Sequence, residues 1–139
     1  KALMFLEDAT PAFKKYQQQI VKNAAALAKG LMRRGFKLLT GGTDTHLMLI
    51  DLKETMLSGM EAEKILEKNN INANRNSLPG DPSPFNPTGI RLGTPAATTR
   101  GMKEKEMDKT ADFIHRALVK KDNIAKEVLV LCKKFPLSY

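Results

Sequence analysis

The chain has 139 residues, of which 42% are hydrophobic and 27% are charged, and its formal net charge is +8. This composition is typical of a globular protein with one domain, and it excludes collagen-like, low-complexity and disulfide-built chains. The one cysteine, Cys132, can form neither an internal disulfide nor a cysteine-based zinc site, and it fits a reducing compartment. No apolar stretch approaches the ~18 residues that span a bilayer. We therefore predict a soluble protein without a membrane partner, in the cytoplasm or, alternatively, in mitochondria.

Positive charge is concentrated near the N-terminus, and an excess of this kind favours anionic partners. The simpler interpretation is a solvated basic helix surface. The alternative function is a basic, noncatalytic domain that binds RNA or another polyanion, but no basic stretch is interleaved with aromatic residues that could stack on bases. The basic residues that raise the question are Lys1, Lys14, Lys15, Lys22, Lys29, Arg33 and Arg34.

The first nine residues are partly apolar and lack a helix-start signal or a targeting segment. We therefore expect residues 1–139 to be a single domain of a longer chain. The first clear signal is Thr10 followed by Pro11, which is typical of a helix start. Apolar residues then recur at steps of three and four from Phe13 to Leu31, which predicts a helix ending near Arg34.

The next segments predict short strands joined by a turn. Residues 36–39 and 47–52 are the first two strands, and the glycine-rich residues 40–44 form the turn between them. Since residues 47–52 are nearly all apolar, we expect that strand to be buried on both faces. A third short strand is predicted at residues 71–74.

Between the second and third strands, Ser58 and Glu61 have the spacing of a capping box, which predicts a helix ending near residues 69–70. Residues 76–88 contain four prolines and Gly80, so they are irregular. A loop of this length that is stiffened by prolines predicts a binding loop, with a structural cover as the alternative.

The last elements are a glycine-bounded strand at residues 89–93, stopped by Pro95, and two amphipathic helices. This order predicts an α+β fold, a small, mostly antiparallel sheet of three to four strands with helices packed on one face. The apolar helix faces are Met107, Ala111, Ile114 and Leu118 in the first helix, and Ile124, Val128, Leu131 and Phe135 in the second.

No self-sufficient catalytic constellation is visible. The two histidines, His46 and His115, are far apart in sequence and do not predict a metal site, and no phosphate-binding glycine loop occurs. Arg91 is the exception. If Ile90 and Leu92 face the core, Arg91 points away from it, and a guanidinium held on a strand suits a carboxylate through two parallel hydrogen bonds. The alternative is an ordinary surface arginine.

Four segments together carry a resemblance: residues 40–47 (TGGTDTHL), 74–81 (NRNSLPGD), 89–96 (GIRLGTPA) and 99–101 (TRG). They closely resemble the C-terminal small domain of serine hydroxymethyltransferase, which has an aspartate-aminotransferase-like fold, and the resemblance covers essentially the whole chain. Thr45 stands where the family usually has asparagine, a departure that concerns a local turn.

The resemblance implies a transferase of one-carbon metabolism that depends on pyridoxal 5'-phosphate. Such enzymes interconvert serine plus tetrahydrofolate with glycine plus 5,10-methylenetetrahydrofolate, as homodimers or homotetramers. By resemblance, Arg91 binds the substrate carboxylate, and the folate contacts map onto Asn76, Ser83, Pro84 and Phe85. Phe85 would be an apolar wall for folate, or alternatively a residue of the core.

The Schiff-base lysine of this family follows a histidine in the large domain, whereas His46 precedes leucine and His115 precedes arginine. We therefore expect no catalytic or cofactor-binding residue and no metal site in this chain. The large domain that binds pyridoxal phosphate would lie elsewhere, and the chain alone would be inactive. A noncatalytic relative that acts as a regulatory partner is a further alternative.

Overall fold

The computed structural model describes residues 2–83 and 85–137. Pro84, one of the predicted folate residues, lies outside the described residues. Within the described ranges the chain forms one four-stranded antiparallel sheet, in the order β1-β2-β4-β3, and six α-helices. The strands are β1 (Lys37–Leu38), β2 (Leu47–Asp51), β3 (Asn74–Asn76) and β4 (Gly89–Gly93). The helices are α1 (Ala2–Asp8), α2 (Pro11–Arg33), α3 (Gly59–Lys68), α4 (Pro95–Thr99), α5 (Glu104–Leu118) and α6 (Ala125–Lys134).

The long helix α2 begins and ends where the sequence predicts. The hydroxyl of Thr10 accepts a hydrogen bond from the backbone N–H of Phe13 at 3.1 Å, and Pro11 occupies the first turn. Gly35 follows the helix with a φ of +89°, a conformation that glycine adopts without strain. Helix α5 approaches α2 closely, since a Cβ on Gly30 would lie 2.8 Å from that of Ala111.

The buried side chains of the sheet all lie on the face that the helices cover. Met48, Ile50, Ile90 and Leu92 are each at most 5% exposed. The predicted α+β fold with helices on one face is confirmed. The expectation that residues 47–52 are buried on both faces is wrong: burial alternates along β2, because none of the described helices packs on the second face. This second face, which carries Arg91, is called the open face below.

The predicted third strand is also misplaced. Strand β3 spans Asn74–Asn76, and residues 71–73 are irregular. Ile71 and Ala73 pack against the core as the chain leaves α3, but ladder pairing starts only at Asn74, which lies opposite Arg91. The irregular loop therefore begins at residue 77 rather than 76.

The other elements follow the predicted pattern with local differences. Ser58 and Glu61 form the predicted capping box, and α3 ends at Lys68. The short helix α4 was not predicted. Phe135, which follows the last residue of α6, is half-buried and packs against the core, as its place on the apolar helix face predicts. Among the described residues, no helix is both long and apolar enough to cross a membrane.

Candidate functional site

Arg91 lies at the middle of β4, with buried Ile90 and Leu92 on either side, and it is exposed, as the alternation predicts. Its register partners are Leu49 on β2 and Asn74 on β3, so strands flank it on both sides. The backbone of an inner strand is held by hydrogen bonds to the strands on both sides, so the Cα of a residue such as Arg91 has a fixed position. The open face therefore presents one guanidinium on a rigid base.

Apart from the backbone ladders with its two neighbouring strands, Arg91 forms no hydrogen bond or ion pair with the described residues, so its guanidinium has no described partner. Asp51 is its diagonal neighbour on β2, but no ion pair joins them, and the Asp51 carboxylate accepts a hydrogen bond from the backbone N–H of Lys53 at 3.0 Å. Every other arginine donates to a carboxylate or carbonyl oxygen: Arg33, Arg34, Arg75, Arg100 and Arg116. Among the described arginines, Arg91 alone keeps its donors free for another acceptor.

The open face around Arg91 carries both apolar and polar side chains, with Leu47, Leu49 and Asp51 on β2 and Asn74 and Asn76 on β3. Leu47 and Leu49 are half-buried, and at Gly93 an added Cβ would meet no atom nearer than 3.5 Å. Beside them, the turn that follows β1 borders a concavity of about 490 Å³, whose lining includes Leu49 but not Arg91. Arg91 itself does not line this concavity, but its register partner Leu49 does.

Asn76 shares this face with Arg91. It lies opposite Gly89, two residues along the sheet from the Asn74–Arg91 pair. Diagonal neighbours of this kind are about 7–8 Å apart. The half-buried Asn76 amide donates a hydrogen bond to the carbonyl oxygen of Ser77 at 2.8 Å, and its own side-chain oxygen accepts none from the described residues. The structure therefore brings two of the predicted site residues together on one surface.

Ser83 and Phe85 lie instead at the tip of the following loop. The Ser83 hydroxyl accepts a hydrogen bond from the backbone N–H of Phe85 at 3.2 Å, so the two residues share a local turn. No described hydrogen bond connects them with Arg91 or Asn76. The side chain of Phe85 is 88% exposed, which makes the alternative of a core phenylalanine wrong.

Sequence reasoning missed the residue that organises this loop. The Asp81 side chain is only 3% exposed and accepts hydrogen bonds from the backbone N–H groups of Leu78 and Thr88, at 2.9 Å each, and from the Thr88 hydroxyl. These bonds, that of the Thr88 hydroxyl above all, hold the pKa of Asp81 below its usual value. The Pro-Gly-Asp turn signal at residues 79–81 could have drawn attention to it.

Neither histidine takes part in a cluster. His46 is exposed just before β2, and His115 on α5 packs edge-on against Phe36 with ring centroids 6.2 Å apart. Within the described part of the chain, no three histidine, cysteine, aspartate or glutamate residues could hold a metal ion. Every described lysine is exposed, so none has the enclosed site in which a lysine could bind pyridoxal phosphate as a Schiff base. The residues present do not fit covalent attachment of that cofactor.

The basic side chains of α2 are exposed as well. Lys14, Lys15, Lys22 and Lys29 face solvent, whereas Arg33 donates to Asp108 at 2.7 Å. Nothing in this arrangement tests binding to RNA or another polyanion, which stays a prediction.

The family model described as serine hydroxymethyltransferase matches residues 1–114. The matched part contains all four strands, Arg91, Asn76 and the whole proline-rich loop, and it ends within α5.

Proposed function

The chain belongs to the serine hydroxymethyltransferase family, and we propose that it is the C-terminal domain of a longer enzyme of that family. That enzyme interconverts serine plus tetrahydrofolate with glycine plus 5,10-methylenetetrahydrofolate. In this proposal the domain supplies the arginine for the substrate carboxylate and part of the folate site. Pyridoxal phosphate, which supplies the carbanion chemistry when bound, is held outside this chain.

The observation that carries the proposal is the free guanidinium of Arg91 on the open face. Two parallel N–H groups of a guanidinium match the two oxygens of a carboxylate, and such charge-assisted pairs are among the stronger hydrogen bonds in proteins. An amino acid is the kind of substrate that needs this partner. Arg91 is exposed, so its guanidinium is accessible to a ligand.

The position of Arg91 on β4 would allow the bound carboxylate to orient the substrate for the reaction. Since β4 pairs with β2 on one side and with β3 on the other, the Cα of Arg91 is fixed relative to the fold. A carboxylate bound there has a fixed position, and so the bonds at the neighbouring substrate Cα have a fixed direction. Orientation of a reacting group contributes several kcal/mol to lowering a barrier, up to about 7–11 kcal/mol in the best intramolecular cases.

The folate part of the proposal rests on Asn76 and on the loop tip. A side-chain amide offers one acceptor and one donor edge, which suits the alternating donors and acceptors of a pterin. The exposed ring of Phe85 provides an apolar surface for a flat ligand. Ser83 would place its hydroxyl beside that ring, since it already accepts a hydrogen bond from Phe85.

The proposed carboxylate site is tested by Arg91→Ala and Arg91→Lys in the full-length enzyme that contains this domain. We expect Arg91→Ala to raise the serine KM and to lower kcat/KM by about 30- to several thousand-fold. This range corresponds to the ~2–5 kcal/mol lost when one partner of a desolvated charge pair is removed. Arg91→Lys keeps the charge but loses the planar fork, so its loss is smaller. The absorbance of bound pyridoxal phosphate is expected to stay unchanged in both variants.

Arg75→Ala is the matched control. Arg75 lies on β3, opposite Ile90, and therefore on the covered face of the sheet, where it donates to Glu63 at 2.9 Å. Its replacement removes an arginine next to β4 without touching the open face, and the serine KM is expected to stay as in the wild type. An unchanged kcat/KM in Arg91→Ala, or an equal loss in Arg75→Ala, contradicts the proposed role of Arg91.

A further inference from the structure

The proline-rich loop, residues 77–88, is closed at its base by one carboxylate. Oδ2 of Asp81 accepts the backbone N–H groups of Leu78, at the beginning of the loop, and of Thr88, at its end. Oδ1 accepts the hydroxyl of Thr88, and Nζ of Lys53 lies 3.9 Å from the same oxygen. Both oxygens of this nearly inaccessible carboxylate are therefore used to hold the two ends of the loop together.

The base of the loop is also fixed to the rest of the domain. The carbonyl oxygen of Thr88 accepts the backbone N–H of Leu52 at 3.0 Å, and that of Pro87 accepts the backbone N–H of Gly59 at 2.8 Å. The side chain of Leu78 is buried and fills the space above the Cα of Gly89. The loop base is thus tied to the end of β2, to the start of α3 and to the start of β4.

The described residues of the loop tip, Ser83, Phe85 and Asn86, lack such anchors. Phe85 and Asn86 are exposed, and the described hydrogen bonds of Ser83, with the backbone N–H groups of these two residues, stay within the tip. The direction in which the tip projects is therefore set by the loop base. Anything that loosens the Asp81 contacts changes where Ser83 and Phe85 lie relative to Asn76.

We propose that Asp81 is a positioning residue for folate binding: it holds the loop so that its tip and Asn76 face the same ligand. This inference rests on the proposed function, because it assumes that Asn76 and the loop tip contact folate. Asp81 itself does not need to touch the ligand. It acts through Leu78 and Thr88, which lie on either side of the tip.

The chemistry of the site distinguishes the variants. Asp81→Ala removes both carboxylate acceptors that Leu78 and Thr88 use. In Asp81→Asn, the amide oxygen can still accept the two backbone N–H groups while the NH₂ group donates to the Thr88 hydroxyl, which then acts as an acceptor. The asparagine variant therefore preserves the geometry, although it removes the charge. Thr88→Val removes only the hydroxyl donor and leaves the carboxylate in place.

The experiment measures tetrahydrofolate binding and the serine KM in the full-length enzyme. We expect Asp81→Ala to weaken tetrahydrofolate binding by about 10- to 100-fold, as a misplaced binding group does, while the serine KM changes less than about threefold. Asp81→Asn is expected to restore binding to within about threefold of the wild type, and Thr88→Val to give an intermediate loss. A general loss of folding would change the serine KM and folate binding together, and that result overturns the positioning role.

Phe85→Ala separates this inference from the folate assignment itself. If Phe85→Ala weakens tetrahydrofolate binding and Asp81→Ala does not, the positioning role of Asp81 is wrong and the folate site stands. If Phe85→Ala and Asn76→Ala both bind tetrahydrofolate as the wild type does, the folate assignment fails, and the inference about Asp81 fails with it. Should Asp81→Ala prove insoluble, wild-type folate binding in Thr88→Val is sufficient to overturn it.

Discussion

Thr88 and Thr94 lie three residues before and three residues after Arg91, and each hydroxyl is bound to a different part of the fold. The Thr88 hydroxyl donates to Asp81 in the proline-rich loop, and the buried Thr94 hydroxyl donates to the carbonyl oxygen of Ile20 on α2 at 2.9 Å. Side-chain hydrogen bonds therefore fix β4 at both ends, in addition to the ladders on its two sides. A binding residue on such a strand is preorganised, which lowers the cost of ordering it around a ligand.

The two glycines that bound β4 predict opposite effects of the same substitution. A Cβ on Gly89 would lie 2.7 Å from Cγ and Cδ2 of Leu78 and 2.8 Å from the carbonyl oxygen of Asn76. Gly89→Ala is therefore expected to lower the free energy of unfolding by about 1–3 kcal/mol, as overpacking does. At Gly93 the nearest atom is 3.5 Å away, so Gly93→Ala is neutral or stabilises by up to about 1 kcal/mol through the unfolded state.

The measurement for this pair is the midpoint of urea-induced unfolding, with both variants compared with the wild type. Equal midpoints for Gly89→Ala and Gly93→Ala would show that Leu78 moves aside freely, and would contradict the tight contact between the loop base and β4.

A second prediction concerns Arg100, because its guanidinium binds carbonyl oxygens at the C-terminal end of α6. Nε donates to the carbonyl oxygen of Phe135 and Nη2 to that of Cys132, both at 2.8 Å. The last carbonyl groups of a helix lack hydrogen-bond partners within the helix and carry a partial negative charge. A guanidinium there donates hydrogen bonds to them and offsets that charge. We expect Arg100→Met to cost about 1.5–3 kcal/mol of stability.

Hydrogen exchange locates this effect. In Arg100→Met, the amides of α6 are expected to lose protection while those of α5 keep it, because α6 depends on this cap. Arg33→Met is the control: its ion pair with Asp108 is 2.7 Å long, but the Arg33 side chain is 68% exposed, and an exposed pair contributes at most about 1 kcal/mol. Equal loss of protection in α5 and α6 would argue against a capping role.

The features that could be predicted from the sequence depend on residues close together in the chain. The Thr10 cap of α2 and the capping box of Ser58 and Glu61 use contacts over three residues, and the structure contains both. The exposure of Arg91 follows from the alternation of Ile90 and Leu92 along one strand. Each of these predictions needs only the local geometry of a helix or a strand.

The features that were missed depend on partners that are distant in sequence or on the absence of partners. Strand β3 starts at Asn74 because the chain first lies beside β4 there, opposite Arg91. The apolar residue Ile71 suggested an earlier start, since the sequence pattern does not show where pairing with β4 begins. The turn signal at residues 79–81 marks Asp81 as a turn residue, but its role in closing the loop depends on Thr88, seven residues later. That Arg91 keeps its donors free cannot be predicted from its sequence neighbours, because the partners that bind the five other arginines are not adjacent to them in sequence.

Asp81 also predicts how the stability of the domain depends on pH. Hydrogen bonds from Thr88 and Leu78 hold the pKa of the folded Asp81 carboxyl below the value of about 3.9 that an aspartate has in an unfolded chain. Between these two pKa values, the unfolded chain binds more protons than the folded one. The free energy of unfolding therefore falls as the pH drops below about 4, and the contribution of Asp81 is fully present above that pH.

Replacing Asp81 by a residue without a carboxyl group is thus expected to make the free energy of unfolding depend less on pH below about pH 4. In urea unfolding between about pH 2 and pH 7, Asp81→Asn loses less stability per pH unit below about pH 4 than the wild type. Some slope remains, because Glu61 and Asp108 also have a lowered pKa, through hydrogen bonds from Ser58 and Arg34 respectively. Thr88→Val keeps the carboxyl but loses its strongest donor, so its slope lies between the two. If Asp81→Asn and the wild type had parallel curves below pH 4, the Asp81 carboxyl would not be held by the loop base as the structure describes.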